Sequence, residues 1–277
     1  MQPVAELPPE RRPAWPAWMV RRRPDFLIIG AQKSGTTSLL NYLRGHPNVA
    51  APRTKELKYF DVQWSKGVAW YAGHFPLVPT AALRARRIGP VAVGEKSPSY
   101  LFYPRAPERC HALVPGARLI ALVREPVDRA VSHYQHNHRR GREELSFEAA
   151  LDRERERIDA EFARHARPGG SDDPRLMHWS YLARGRYAEQ LDRWLALYPR
   201  DRMLVVRAED LFRDPRETFA RVVAFLGLPD WAPPKFDAYN PGGKYDPISP
   251  ATRASVRGYF APHNDRLARM FPEIRWD

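Results

Sequence analysis

A four-residue apolar run, Phe26-Leu27-Ile28-Ile29, leads into Gly30, then a polar loop from Ala31 to Gly35, then a helical pattern from Thr36 to Arg44. Few folds use that order. An apolar run without alternation suits a strand buried on both faces, as in a parallel sheet. The helix that follows puts Leu39, Leu40 and Leu43 on one face, so it packs back against such a sheet. A glycine-bounded loop between strand and helix aims backbone N–H groups at one point, where the helix N-terminus adds a partial positive charge and Lys33 a full one. The stretch therefore predicts an anion cradle; an ordinary tight turn with one exposed lysine is the competing reading.

Gly30 and Gly35 have the spacing of the glycines in G-x-x-x-x-G-K-[ST], but Thr36 stands where that motif has lysine, and Lys33 lies inside the loop. A nucleoside triphosphatase of that kind needs its lysine beyond the second glycine and a strand-end aspartate for magnesium. Glu209 and Asp210 follow a strand pattern without other magnesium-binding residues around them. A nucleotide or sugar kinase is thus the alternative enzymatic reading. The string KSGTTSL after a strand resembles the 5′-phosphosulfate loop of sulfotransferases that use 3′-phosphoadenosine 5′-phosphosulfate (PAPS) and release the bisphosphate PAP. The resemblance implies that Lys33, Ser34, Gly35, Thr36, Thr37 and Ser38 hold the donor.

A chain of 277 residues accommodates one large domain with a well-buried core, or two small ones. No run has the length of a membrane-spanning helix, and Met1–Pro24 is rich in Pro and Arg where a signal peptide would be apolar. A single cysteine, Cys110, excludes an internal disulfide and a cysteine metal site. These features predict a cytoplasmic protein without a membrane span. The net charge of +13 makes a basic nucleic-acid-binding module the non-enzymatic rival. The basic residues are spread along the chain, however, many near Glu or Asp, and no reader motif occurs, so no nucleic-acid partner is predicted. Such charge also suits an anionic nucleotide donor or an acidic acceptor. Residues 1–23, with Arg21-Arg22-Arg23 and with Trp15 and Trp18 as candidate anchors, read as a Pro/Arg-rich extension, and residues 24–277 as the domain.

After the first helix, APRTKELKYFD crowds Lys55, Glu56 and Lys58 together. On residues alone this is either a solvated charge cluster or a carboxylate returned to the mouth of the loop, placed to act as general base. KELKYFD resembles the K-E-x-x-[FY]-F-D segment of the heparan-sulfate type of sulfotransferase, including the glucosaminyl 3-O- and N-sulfotransferases and bacterial relatives. The resemblance implies that Glu56 is the catalytic base, that Asp61 helps to position base and acceptor, and that Lys55 is on the acceptor side. Trp64, Trp70, Tyr71, His74 and Phe75 form either a cleft wall or packing under a long connection. Val91-Ala92-Val93 reads as a second strand and Gly94–Pro98 as the loop at its carboxyl end, where open α/β sheets bind ligands. EKSPSY is similar to the same family's E-K-[ST]-P-x-Y, which implies Lys96 as an active-site cation and Ser97 and Ser99 as acceptor contacts.

Leu119–Val123 reads as a further strand, ended by Arg124, with Pro126 opening a helix and Asp128 assisting its N-terminus. A strand-end arginine and Ser132, about two turns into that helix, can share one phosphate. Arg124, Pro126, Arg129, Ser132 and Tyr134 match the family's 3′-phosphate motif. His133, His136 and His138 do not share one helical face, and no metal site is predicted. Because a histidine is the base in the cytosolic branch of the family, His133 or His136 is the reserve base, and His133 an acceptor-side residue.

Ser146 starts a charged helix, a long helix is predicted over Trp179–Tyr198, a strand followed by a turn over Arg202–Leu211, an amphipathic helix in Asp214–Pro229 that ends at Gly227, and a last helical region over Ser249–Phe271. The resemblance puts Gly185 and Tyr187 beside the nucleotide, and the loop with Gly243 and Lys244 over its 3′-phosphate and adenosine. Strands near residues 26, 91, 119 and 204 predict a single α/β domain: a P-loop-like central parallel sheet with helices on both faces. The expected activity is metal-independent sulfuryl transfer from PAPS to a hydroxyl or amine of a small-molecule, lipid or glycan acceptor. Oligomeric state is not encoded in any of these motifs.

Overall fold

The computed structural model describes residues 20–159, 174–237, 239 and 248–276. Its sheet has five parallel strands, β1 Phe26–Gly30, β2 Val49–Ala50, β3 Ala92–Lys96, β4 Arg118–Val123 and β5 Met203–Arg207, in the order β2-β3-β1-β4-β5. Helices α1 Thr36–Gly45, α2 Gly67–Ala72, α3 Val78–Ile88, α4 Ala106–Leu113, α5 Pro126–His138, α6 Phe147–Asp152, α7 Tyr187–Leu195, α8 Ala208–Arg213, α9 Pro215–Leu226 and α10 Pro250–Met270 complete the scaffold.

Alternate residues of the central strands enter two separate cores. Leu27, Ile29, Leu119, Ala121 and Val123 pack with Trp194, Tyr187 and Leu191, whereas Phe26, Ile28, Ile120 and Leu122 pack with Leu39, Leu40, Leu43 and Phe219. Both faces are thus covered, which is why the strands carry no polar side and read as apolar runs. Strand order reverses around β1, so the loops leaving β1 and its neighbour β4 border the crevice where such sheets take ligands.

Three expectations need correction. β2 was not anticipated, because two residues carry no periodicity. β3 runs on to Lys96, so Glu95 and Lys96 belong to the strand; their charges hid it from an apolar-run criterion, yet both are buried and hydrogen-bonded. At the start of α5 Asp128 sits in the first turn as expected, where it pairs with Arg253, and the Glu125 carboxylate adds a cap by accepting from Asp128 N at 2.8 Å. The helix expected over Trp179–Tyr198 is broken: Ala183–Gly185 is a 3₁₀ turn, and α7 starts at Tyr187. The carboxylate of Glu154 accepts from Leu182 N and Ala183 N, satisfying amides that a continuous helix would have used. Trp64, Trp70 and Tyr71 pack against Tyr59 and Phe60, and Phe75 packs against Tyr71, in keeping with the packing reading. Trp15 and Trp18 lie outside the described residues.

Candidate active site

At the carboxyl ends of β1, β3 and β4 lies a cleft of about 1100 Å³. Among the described residues, eight lysines and arginines line it against one carboxylate, Glu56. Its floor is the loop after β1. Gly35 takes φ +80° and Lys33 φ +72°, both left-handed, which turns successive amides inward. A Cβ on Gly35 would stand 2.8 Å from the Phe212 ring, so glycine is also demanded by packing. As N-cap of α1, Gly35 supplies no side-chain acceptor, which leaves the first-turn amides to whatever sits in the cleft. Burial, then the charges of Arg139, Arg124, Arg140 and Lys55, push the Lys33 ammonium down to about 8. A cation held at such a cost is poised for an anion. Ser34 is wholly buried with its hydroxyl unpartnered, Thr36 and Thr37 line the cleft, and the Ser38 hydroxyl accepts from Tyr239 N at 3.1 Å.

A second polar and cationic group at the cleft comes from β4 and α5. Arg124 follows β4 directly, and its Nη1 donates to Lys33 O at 3.3 Å, tying the two loops together. Tyr187 OH donates to Arg124 O at 2.9 Å from beneath. Tyr187 therefore positions the arginine, while Gly185 packs against Phe260 and does not line the cleft. Ser132 lines the cleft one turn above the buried Arg129, whose Nη2 donates to Tyr181 O. Tyr134 turns away and donates to Leu145 O. Gly243 and Lys244 lie outside the described residues.

Opposite these, Lys96 reaches from the end of β3. Its ammonium, only 1% exposed, donates to Glu56 Oε1 at 2.8 Å and to Thr37 Oγ1 at 3.1 Å. Burial lowers its pKa, and the Glu56 charge opposes that shift. Glu56 Oε2 has Lys58 Nζ at 3.7 Å. Lys55 and Ser99 line the same wall. Asp61 and Ser97 stand behind it: Asp61 is fully buried and accepts from Ser99 Oγ, and Ser97 Oγ donates to Glu95 at 2.9 Å. Burial pushes the Asp61 carboxyl up to about 6, against the pull of the Ser99 hydrogen bond.

His133 lines the cleft with Nδ1 unpartnered, but burial, with Arg184 and Arg129, holds its pKa well below that of a free imidazole. Burial, Lys33 and Arg140 bring His136 down to about 4. Both rings are held neutral and are less basic than a free imidazole, which weakens either as a general base. Spacing did not single out Gln32, Arg184, Arg139, Arg140 or Arg142, all of which line the cleft. The last three form a basic run that was visible after α5. Arg184, in the 3₁₀ turn, is 3% exposed and donates to Gln32 Oε1 at 2.5 Å, a tertiary pairing without any local signal.

Comparison with known proteins agrees with this architecture. A sulfotransferase domain model matches residues 23–233. Heparan sulfate glucosamine 3-O-sulfotransferase 6 of Mus musculus is 36% identical over 208 residues, which is 75% of this chain and 53% of that protein. The bifunctional heparan sulfate N-deacetylase/N-sulfotransferase 3 of Homo sapiens is 30% identical over 91% of this chain and 30% of its own length. The chain thus spans about half the length, or less, of these curated relatives. A sulfotransferase from Alicyclobacillus acidocaldarius superposes with a TM-score of 0.68 at 32% identity, covering 90% of this chain and 96% of that one. With the loop after β1 and the arginine after β4 lining one cleft, the lysine ending β3 buried behind its Glu56 and Thr37, and with these matches, the chain belongs to the sulfotransferase family.

Proposed function

We propose that the chain moves a sulfuryl group from PAPS to a hydroxyl of a glycan acceptor, with Glu56 as general base. The family uses PAPS, and the donor set suits it: hydroxyls, amides and cations at two places in one cleft, matched to a compound that is anionic at both ends. PAPS supplies a sulfuryl group on a phosphate leaving group, so the S–O bond to phosphate breaks as the acceptor oxygen bonds to sulfur. Lys33 and the loop amides stabilise charge on that phosphate. Arg124 and Ser132 grip the 3′-phosphate and favour PAPS over donors that lack it. Lys96 holds Glu56 Oε1, which leaves Oε2 to take the acceptor proton. Lys55 and Ser99 contact the acceptor, and Asp61 fixes Ser99. The relatives' glucosamine acceptors and the basic lining favour a glycan.

The observation that carries this reading is the Glu56–Lys96–Thr37 chain, which links the lone carboxylate of the described lining to the donor loop through contacts of 2.8 and 3.1 Å. Sulfur-labelled PAPS is incubated with the protein and desulfated heparan oligosaccharides, or with an extract of the source cells. Labelled product is expected, and Glu56→Gln should lose about a hundredfold or more of turnover while binding PAP as before. Unchanged turnover in that variant removes Glu56 from the role, and an absence of heat with PAP in calorimetry removes the donor.

A further inference from the structure

β3 ends in two charged residues that face opposite ways. Lys96 takes the Glu56 side chain. Glu95, fully enclosed, accepts three hydroxyl hydrogen bonds: Tyr100 OH at 2.8 Å and Tyr71 OH at 3.3 Å on Oε1, and Ser97 Oγ at 2.9 Å on Oε2. Two of those hydroxyls pass the grip on. Ser97 Oγ accepts from Lys58 N at 2.9 Å, and Tyr100 OH accepts from Tyr59 N at 2.8 Å. A hydroxyl that gives its proton to a carboxylate keeps its lone pairs for an amide, so the carboxylate dictates the direction of both chains. They end on the second and third residues after Glu56. Lys58 takes φ +50° there, a conformation that a non-glycine residue adopts only when its surroundings hold it.

We infer that Glu95 is the positioning residue for the catalytic loop: its carboxylate, through Ser97 and Tyr100, fixes the backbone of Lys58 and Tyr59 and so aims Glu56 at the acceptor. This rests on the reading of Glu56 as base. A two-sided clamp results, with Lys96 on the side chain and Glu95 on the backbone. The carboxylate never touches substrate.

The clamp depends on ionisation. Burial, with the Asp61 charge, pushes Glu95 up to about 7, against the hydrogen bonds of Tyr100, Ser97 and Tyr71. The other titratable groups facing it are the phenols of Tyr71 and Tyr100, the Cys110 thiol and the Lys96 ammonium; burial drives the phenols and the thiol well above their ordinary values, so none of those three titrates near neutrality. An ionised carboxylate accepts from all three hydroxyls. A protonated one must place its own hydrogen, which deprives one hydroxyl of its acceptor. Because the folded pKa lies above the ordinary 4.5, the ionised form costs stability, a cost fully present above pH 7 and relieved as pH falls toward 4.5. Glu95→Gln removes that cost, so at pH 8 the variant should melt no lower than the parent chain.

The test is amide hydrogen exchange read at Lys58 and Tyr59, with Ile28 and Ile120 of the buried strands as references. In the parent chain, protection at Lys58 and Tyr59 should fall as pH is lowered from 8 to 6, while the references hold. In Glu95→Gln it should be about tenfold lower and independent of pH over that range, with PAP affinity unchanged. Ser97→Ala should expose Lys58 alone and Tyr100→Phe should expose Tyr59 alone, so the wiring is checked even if Glu95→Gln folds poorly. Turnover on heparan oligosaccharide should fall about tenfold in kcat, with the KM for PAPS unmoved. Parent-like exchange at both amides in Glu95→Gln overturns the inference. So does a uniform loss of protection across the strands, which would mark a merely structural group. If Glu56→Gln keeps full turnover, the base assignment falls while the exchange data still decide the clamp.

Discussion

The two ends of the cleft hold charge by opposite means. The donor end is built from backbone: left-handed Lys33 and Gly35, the open first turn of α1, and Arg124 carried straight off β4. Its cations line the cleft, and only Lys33 among the loop residues carries charge. The acceptor end is built from buried side chains: Lys96, Glu95 and Asp61 are at most 2% exposed, and each is engaged by hydroxyls or by Glu56. Backbone donors bind any anion of suitable shape and reorganise little. A buried side-chain network fixes one carboxylate in one place, at the cost of desolvating several charges. The donor end is therefore suited to binding and the acceptor end to orientation.

Lys96→Met should break the acceptor end while sparing the other. The substitution keeps the length and loses the 2.8 Å contact to Glu56. Turnover should fall about a hundredfold, as when a transition-state donor is removed, and PAP affinity should change by less than about threefold. A loss of PAP binding as large as the loss of turnover would mean that Lys96 serves the donor and that the two ends are not separate.

Arg124→Ala is the converse. One charge-assisted phosphate contact is worth about 1.5–3 kcal/mol, so PAP affinity should drop about 10- to 100-fold. Affinity for 5′-AMP, which lacks the 3′-phosphate, should hardly move. Equal losses for the two nucleotides, measured by calorimetry, would place the 3′-phosphate elsewhere.

This division also sets what could be read before the fold was known. The strand, two glycines and helix within the segment 26–44, and the strand–helix junction with Arg124, Pro126 and Ser132, were legible because their geometry is local. Glu56 stood out on residues alone as one of two readings of a charge cluster, and Lys96 only through resemblance. Their pairing spans 40 positions and has no spacing signal. Glu95 was read as part of a loop because a charged strand end violates the apolar pattern; its partners Ser97 and Tyr100 follow in the turn after β3, while Tyr71 comes from α2. Arg184 was lost in a helix expected to be continuous, since neither the Glu154 carboxylate that takes the Leu182 and Ala183 amides ahead of α7 nor Gln32 is near it in sequence.

A pH series sharpens the donor side. The empty-cleft pKa of Lys33, about 8, lies below the ordinary 10.5, so a bound phosphate should raise it. Between the two values, PAP binding takes up a proton. Affinity should thus be insensitive to this group below pH 7 and should fall above pH 8, by at most about tenfold per pH unit. Calorimetry at pH 9 in buffers of different ionisation enthalpy should report close to one proton absorbed, and Lys33→Met should abolish it. No proton uptake would show that the ammonium does not meet the phosphate.

Gly185→Ala should have the smallest effect on binding. Resemblance places this glycine beside the nucleotide, yet it stands behind α5, where an added Cβ would lie 2.5 Å from the Phe260 ring and 3.2 Å from Pro126. Overpacking of that kind costs about 1–3 kcal/mol. The expected result is a melting temperature lower by several degrees, about 2–4 °C for each kcal/mol, with PAP affinity changed less than threefold once saturating PAP has been used to keep the chain folded. The distinction matters because Pro126 opens the helix that carries Ser132. If the alanine variant instead loses PAP affinity at full stability, α5 has shifted as a lever. The glycine then belongs to the donor end, and the boundary between scaffold and site must be drawn one layer deeper.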